Sequence, residues 1–280
     1  MDRHANPASA PRSKDTLVLR VASAAALAPL AIGASWLGGP VFAGLVAFLC
    51  VLMAFEWARM VERAEMTPVF YALGLGGAAA MILAAAEHYA IAYVVCAASG
   101  VVAAAASLKG SGNWRWAAFG AAYFIAPSIA LVWLRESVED GRGLLLLLFA
   151  IVWAADTGGY IGGRLVGGPK LSPGISPAKT WAGAIGGLIA GAIAALIGAP
   201  LIFGAATQGA YFAMGAGLGF ASIVGDMLES AFKRAFGIKD MSGFIPGHGG
   251  VLDRLDGMIV VTMAVTAALY GHSLLAGLRG

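Results

Sequence analysis

Three stretches of this 280-residue chain place carboxylates where they are costly. Asp156 lies within an apolar run, in Trp153-Ala-Ala-Asp156-Thr157-Gly158-Gly159-Tyr160. Asp226 and Glu229 lie toward the end of another, in Gly225-Asp226-Met-Leu-Glu229-Ser230-Ala-Phe-Lys233-Arg234. Asp253 and Asp256 stand three apart just ahead of the last run, after Gly247-His248-Gly249-Gly250. An ionisable residue inside a membrane span costs roughly 2.5–3.5 kcal/mol at the centre on insertion scales, so it faces partners or water. Asp226, Glu229, Ser230 and Lys233 fall at i, i+3, i+4 and i+7, one face of a helix. Each group alone has a plainer account. Asp253 and Asp256 suit the positive end of a helix dipole, Asp226 and Glu229 could pair with Lys233 and Arg234, Asp156 could be a buried polar staple, and His248 a loop histidine.

Collected together, beside glycine-rich loops and several cations, the carboxylates have a chemical logic. Carboxylates bind hard divalent cations such as Mg²⁺, which takes oxygen ligands and bridges substrate phosphates. Lys and Arg neutralise polyphosphate oxygens, and glycine lets backbone amides approach a phosphate closely. That set describes phosphoryl or nucleotidyl transfer, in which positioning and charge neutralisation carry most of the catalysis. At a membrane surface the natural second substrate is an anionic lipid.

The elements that must hold these groups are read from composition and hydropathy. The chain is 60% hydrophobic and 12% charged, with a mean hydropathy of +0.82, whereas a soluble domain carries about 25% charged residues. Disordered chains, soluble single-core domains and nucleic-acid binders are excluded, the last because they need a dense basic surface. The 40 glycines follow no three-residue period, which excludes collagen. The fold class is all-α: a polytopic integral membrane protein with about nine transmembrane helices. The apolar runs are 17–36, 40–57, 68–86, 89–107, 114–134, 143–163, 181–203, 209–229 and 257–276. Only Glu87 and His88 separate the third from the fourth, a link short enough for a re-entrant pair. The first run is longer than a cleaved leader's apolar core and is read as retained. Distributed over alternating loops, 15 of the 18 Lys and Arg fall on one side, and only Arg135, Arg142 and Arg279 on the other. The positive-inside rule then puts the amino terminus inside and the carboxy terminus outside. Three regions follow: a flexible cytoplasmic tail over 1–16, N-terminal transmembrane helices over 17–142, and a C-terminal catalytic transmembrane region over 143–280. Two cytoplasmic loops stand out, 164–180, rich in Gly, Pro and Lys, and 230–256, the longest polar segment. Cys50 and Cys96 lie in apolar runs and read as small core residues.

The second loop carries Ser230-Ala-Phe-Lys233-Arg234-x4-Lys239-Asp240-x-Ser242-x2-Ile245-Pro246-x-His248-Gly249-Gly250-Val-x-Asp253-Arg254-Leu-Asp256. This string resembles the signature of the phosphatidate cytidylyltransferases, the CDP-diacylglycerol synthases. Upstream, Asp156-Thr157-Gly-Gly-Tyr160-x-x-Gly163-Arg164 and Ser176-Pro177-Ala-Lys179-Thr180-Trp181-Ala182-Gly183 resemble two further blocks of that family, with Gly159 where Ala is usual and Ala182 where Glu is common. The resemblance covers about 150–260; earlier runs match only in being hydrophobic.

The resemblance implies transfer of a cytidylyl group from CTP to phosphatidate, giving CDP-diacylglycerol and pyrophosphate for phospholipid biosynthesis, with Mg²⁺ as cofactor and a second, monovalent cation left open. It implies metal binding by Asp226, Asp253 and Asp256, and catalytic roles for Asp226, Asp253, Lys233 and Arg254. Substrate binding falls to Asp156, Ser176, Lys179, Thr180, Ser230, Arg234, Lys239, His248, Gly249 and Gly250. The partners are CTP, phosphatidate and the bilayer, with no nucleic acid. It also implies a homodimer in a bacterial-type inner membrane, with the active site facing the cytoplasm. The competing readings are an ion-coupled membrane transporter, which would explain Asp156 and Asp226, and a related CTP-dependent lipid kinase or transferase.

Overall fold

The computed structural model describes residues 13–204, 207–245 and 249–277. Every apolar run is met by a helix: α1 (Ser13–Leu37), α2 (Gly39–Glu62), α3 (Pro68–Ala85), α4 (Tyr89–Leu108), α5 and α6 (Trp114–Gly120 and Ala126–Glu136), α7 (Gly141–Leu165), α8 (Trp181–Phe203), α9 (Gln208–Ala235) and α10 (Leu252–Gly277). Seven of the described segments are long and apolar enough to cross a membrane: α2, α3, α4, the continuous stretch 114–136, α7, α8 and α9. The architecture is therefore polytopic and almost wholly helical, as lipid requires of a chain whose backbone must satisfy its own hydrogen bonds. α3 and α4 are each of spanning length, joined through Glu87 in a left-handed conformation. α1 starts at Ser13, ahead of the apolar run; residues 1–12 of the expected tail lie outside the described residues.

Helix ends follow local chemistry. Pro68 opens α3, where its missing N–H costs nothing, and Thr67 caps it by accepting from the Phe70 N–H. The fifth run is continuous but not uniform. A π-helical turn, Ala121–Ile125, joins α5 to α6, with the Ala126 N–H reaching back to the Ala121 carbonyl. Pro127 sits immediately after; lacking an N–H it cannot complete the ladder, and the turn widens ahead of it. Tyr123 in that turn, with Trp57 of α2 and Phe119 of α5, packs around Phe232 of α9 at centroid distances of 5.0, 5.7 and 5.7 Å. This aromatic collar fixes the C-terminal end of α9 against the N-terminal helices.

The 164–180 loop is not irregular. Lys170–Ser172 (β1) and Ser176–Thr180 (β2) pair antiparallel, Lys170 opposite Thr180 and Ser172 opposite Ser176. Pro173 and Gly174 turn the chain, closed by the Ile175 N–H on the Ser172 carbonyl at 3.2 Å. Thr180 ends β2 and caps α8, accepting from the Gly183 N–H at 3.1 Å.

The C-terminal helices approach closely. α7 and α8 make the most extensive contact of any pair, across small residues: a side chain at Gly186 would run into the Gly158 backbone. At Gly225 a Cβ would collide with the backbone of Asp256, so α9 and α10 touch at the point where both carry carboxylates.

Candidate active site

α7, β2, α8, α9 and α10 converge on one pocket of about 720 Å³. α7 contributes Asp156 and, one and two turns on, Tyr160 and Arg164; the Arg164 guanidinium donates to the Tyr160 hydroxyl at 2.6 Å. The hairpin contributes Lys179 and Thr180, α9 Asp226, Glu229 and Lys233, and α10 Asp253, Arg254 and Asp256, with Asp240 from the intervening loop. The ionisable lining is six carboxylates against four cations, a formal excess of two negative charges.

Those charges are paired across elements. Because Lys170 pairs with Thr180, the hairpin sets Lys179 over α9, and its ammonium lies 2.5 Å from Asp226 Oδ2. Lys233 bridges two helices, reaching Glu229 at 2.6 Å and Asp253 at 2.9 Å. The Glu229 side chain is 1% exposed and that of Asp253 8%. Asp253 Oδ2 accepts the Gly250 N–H at 2.9 Å, and Asp256 Oδ1 accepts the Gly257 N–H at 2.7 Å. Single oxygens of Asp226, Glu229 and Asp256 all lie within 4.8 Å of one another.

The sequence-derived site residues separate into two groups. Asp156, Lys179, Thr180, Asp226, Lys233, Asp253, Arg254 and Asp256 line the pocket together. Ser176, Ser230, Arg234, Lys239, Gly249 and Gly250 do not line it. Arg234 instead donates from Nε to the Ile175 carbonyl at 3.3 Å, bracing the hairpin tip, and Lys239 is exposed beyond α9. His248 lies outside the described residues. The grouped carboxylates also differ from the expected set. Glu229 stands with Asp226 and Asp256, whereas Asp253 is taken up by Lys233 and Gly250. The signal for Glu229 was its place one helical turn from Asp226. A buried carboxylate on α2, Glu56, went unnoticed and also reaches this region, accepting from the N–H groups of Val251 and Leu252 at 2.8 Å each.

Fold and site together define a polytopic helical protein with a pocket that gathers carboxylates, ammonium groups and guanidinium groups from its C-terminal half. The chain belongs to the cytidylyltransferase family, whose model matches residues 18–272. It is 33% identical to a phosphatidate cytidylyltransferase of Brucella suis, over 91% of this chain and 92% of that protein. It is likewise 33% identical to a phosphatidate cytidylyltransferase of Pseudomonas aeruginosa, over 90% and 96%. Another from Haemophilus influenzae is 44% identical over 48% of this chain and 49% of its own.

Proposed function

We propose that this chain is a phosphatidate cytidylyltransferase, moving the cytidylyl group of CTP onto phosphatidate to give CDP-diacylglycerol and pyrophosphate for phospholipid biosynthesis. The observation that carries the reading is the convergence of all three motif blocks on a single acidic and basic pocket, in a chain whose near full-length relatives bear that name. A phosphate oxygen of the lipid attacks the α-phosphorus of CTP, and the bond to the β-phosphate oxygen breaks. A phosphate is already ionised near neutral pH, so no strong general base is required, in keeping with four histidines in the whole chain.

The donor chemistry fits Mg²⁺: clustered carboxylate oxygens only, in a pocket lining with a formal excess of two acidic over basic groups. Asp226, Glu229 and Asp256 are the donors we assign. Asp253 is next to them, held by an ammonium for which a triphosphate would compete. When bound, Mg²⁺ supplies positive charge to the triphosphate and its leaving group. Lys179, Lys233 and Arg254 hold phosphate oxygens, Thr180 and Asp156 border the bound nucleotide, and Ser176 of β2, Ser230 and Arg234 of α9, and Lys239, His248, Gly249 and Gly250 between α9 and α10 act around these groups. The finer topology belongs to the same proposal: nine spans, amino terminus inside, carboxy terminus outside, and the pocket on the cytoplasmic side of a bacterial inner membrane, where CTP is. So does a homodimer, to be read by light scattering of the purified protein.

The test is incorporation of label from [α-³²P]CTP into lipid by purified protein in phosphatidate micelles with Mg²⁺. Label in CDP-diacylglycerol is expected. Lipid left unlabelled by [α-³²P]CTP but labelled by [γ-³²P]CTP would instead indicate a lipid kinase. Repeating the assay in K⁺, Na⁺ and choline salts reads any monovalent requirement.

A further inference from the structure

Glu56 lies on α2, outside every motif block, and is 0% exposed. Its carboxylate accepts from the Ser242 hydroxyl and from the Val251 and Leu252 N–H groups, all more than 180 residues further along the chain. A carboxylate buried so deeply is costly unless its lone pairs are taken up, and these three donors do so. Two of them are N–H groups at the very start of α10, which would otherwise lack partners because the first turn of a helix leaves its amides free. Gly250 lets the two approach: a Cβ on it would stand 2.7 Å from Glu56 Oε1, so the carboxylate would have to shift. The neighbouring Phe55 packs on Phe244 of the same segment, at 5.2 Å between centroids. Immediately after the amides that Glu56 holds come Asp253, Arg254 and Asp256, all lining the pocket.

We propose that Glu56 is a positioning residue, a clamp from the N-terminal helices that fixes where α10 begins and so delivers Asp253, Arg254 and Asp256 into the pocket. It acts through Ser242, Val251 and Leu252. The kinetic arm of the test rests on the cytidylyltransferase reading; the structural arm does not.

Glu56→Gln keeps the shape but replaces one acceptor oxygen by an NH₂ that faces N–H donors. Hydrogen–deuterium exchange in detergent should show the Val251 and Leu252 amides exchanging at least tenfold faster than in the wild type. The KM for CTP should rise about tenfold or more in the folded, monodisperse fraction. Ser242→Ala, which removes one donor of three, should show the same two changes to a smaller degree and carries the test if Glu56→Gln does not fold. Glu62→Gln is the control. Its carboxylate binds Ser107 and Ser111 near the same end of α2, and its KM should be that of the wild type. Unchanged exchange over 242–256 would overturn the proposal. So would a fall in kcat at constant KM, the mark of fewer folded molecules. A wild type that transfers no cytidylyl group would sink the functional reading, while the exchange arm would still decide the clamp.

Discussion

Lys233→Ala removes one ammonium from between two acids on different helices, Glu229 at 2.6 Å and Asp253 at 2.9 Å. Lys233 is itself only 14% exposed by side chain, and its partners less, so water cannot replace what is lost. Deleting one partner of a buried pair costs about 3–5 kcal/mol, chiefly because the remaining charge is stranded. At about 2–4 °C per kcal/mol for a chain of this order of size, the melting temperature in metal-free detergent should fall by roughly 10 °C. Mg²⁺ should then recover more stability in the variant than in the wild type, since it brings positive charge to carboxylates that Lys233 otherwise neutralises. The same ammonium is assigned to the triphosphate, and truncating such a group costs about 2–5 kcal/mol of transition-state stabilisation. That corresponds to a fall of about 30- to 5000-fold in kcat/KM for CTP. The assays are thermal unfolding with and without millimolar Mg²⁺ and initial rates against CTP, with Arg3→Ala and Arg12→Ala as controls that keep wild-type kinetics. Equal Mg²⁺ stabilisation of variant and wild type, or a kcat/KM within threefold of wild type, would refute the reasoning.

Asp226→Asn and Asp253→Asn each remove a formal charge while keeping shape, and each should lower the rate more than tenfold, about 1.4 kcal/mol, with normal membrane insertion; an Asp226 variant retaining more than a tenth of the wild-type rate would show that Asp226 is not a metal ligand, and an Asp253 variant doing so would show that its hold on Lys233 is not needed for turnover. Thr180→Val deletes the oxygen that accepts the Gly183 N–H and should cost about 1 kcal/mol of stability, while Thr180→Ser should restore it; equal melting temperatures for all three would show that the cap contributes nothing. Reporter fusions after Gly168 and after Met241 should both read cytoplasm, from the 15-to-3 division of cations, and an external reading from either would reverse the orientation.

How much was legible in the sequence follows from which constraints are one-dimensional. Crossing a bilayer demands about 20 consecutive apolar residues, so the runs and their breaks could be read directly, and each run meets a helix. The hairpin could not. Strands of three and five residues are too short for alternation to register, although Pro173-Gly174 marked the turn. Which carboxylates meet depends on the close crossing of α9 and α10 at Gly225, a relation between segments about 30 residues apart that no local pattern encodes. Asp226 and Glu229 were recognisably neighbours; that Glu229 rather than Asp253 faces Asp256 was not. Glu56 is different. It sits in Phe55-Glu56-Trp57, inside the second apolar run, and the rule that singled out Asp156, that a charge within a span needs a reason, applied to it equally. Its partners, however, are backbone amides of the signature loop, and backbone donors leave no trace in side-chain motifs.

The pairing within the pocket has a mechanistic sense of its own. A cluster of acids at a membrane surface would be unstable without counter-charge, and a cluster of cations alone would bind any phosphate. Here each serves the other: Lys179 rests on Asp226, and Lys233 on Glu229 and Asp253. A divalent cation arriving alone would gain carboxylates but leave two ammonium groups without partners. A triphosphate arriving alone would gain the ammonium groups but strand the carboxylates, at least one of which is almost fully buried. Only the two together exchange every ion pair for another, cation with carboxylate and ammonium with phosphate, without leaving a buried charge unpaired. On the function proposed, each ligand would therefore raise the affinity for the other by the same factor, and the site would select the metal–nucleotide complex over either component.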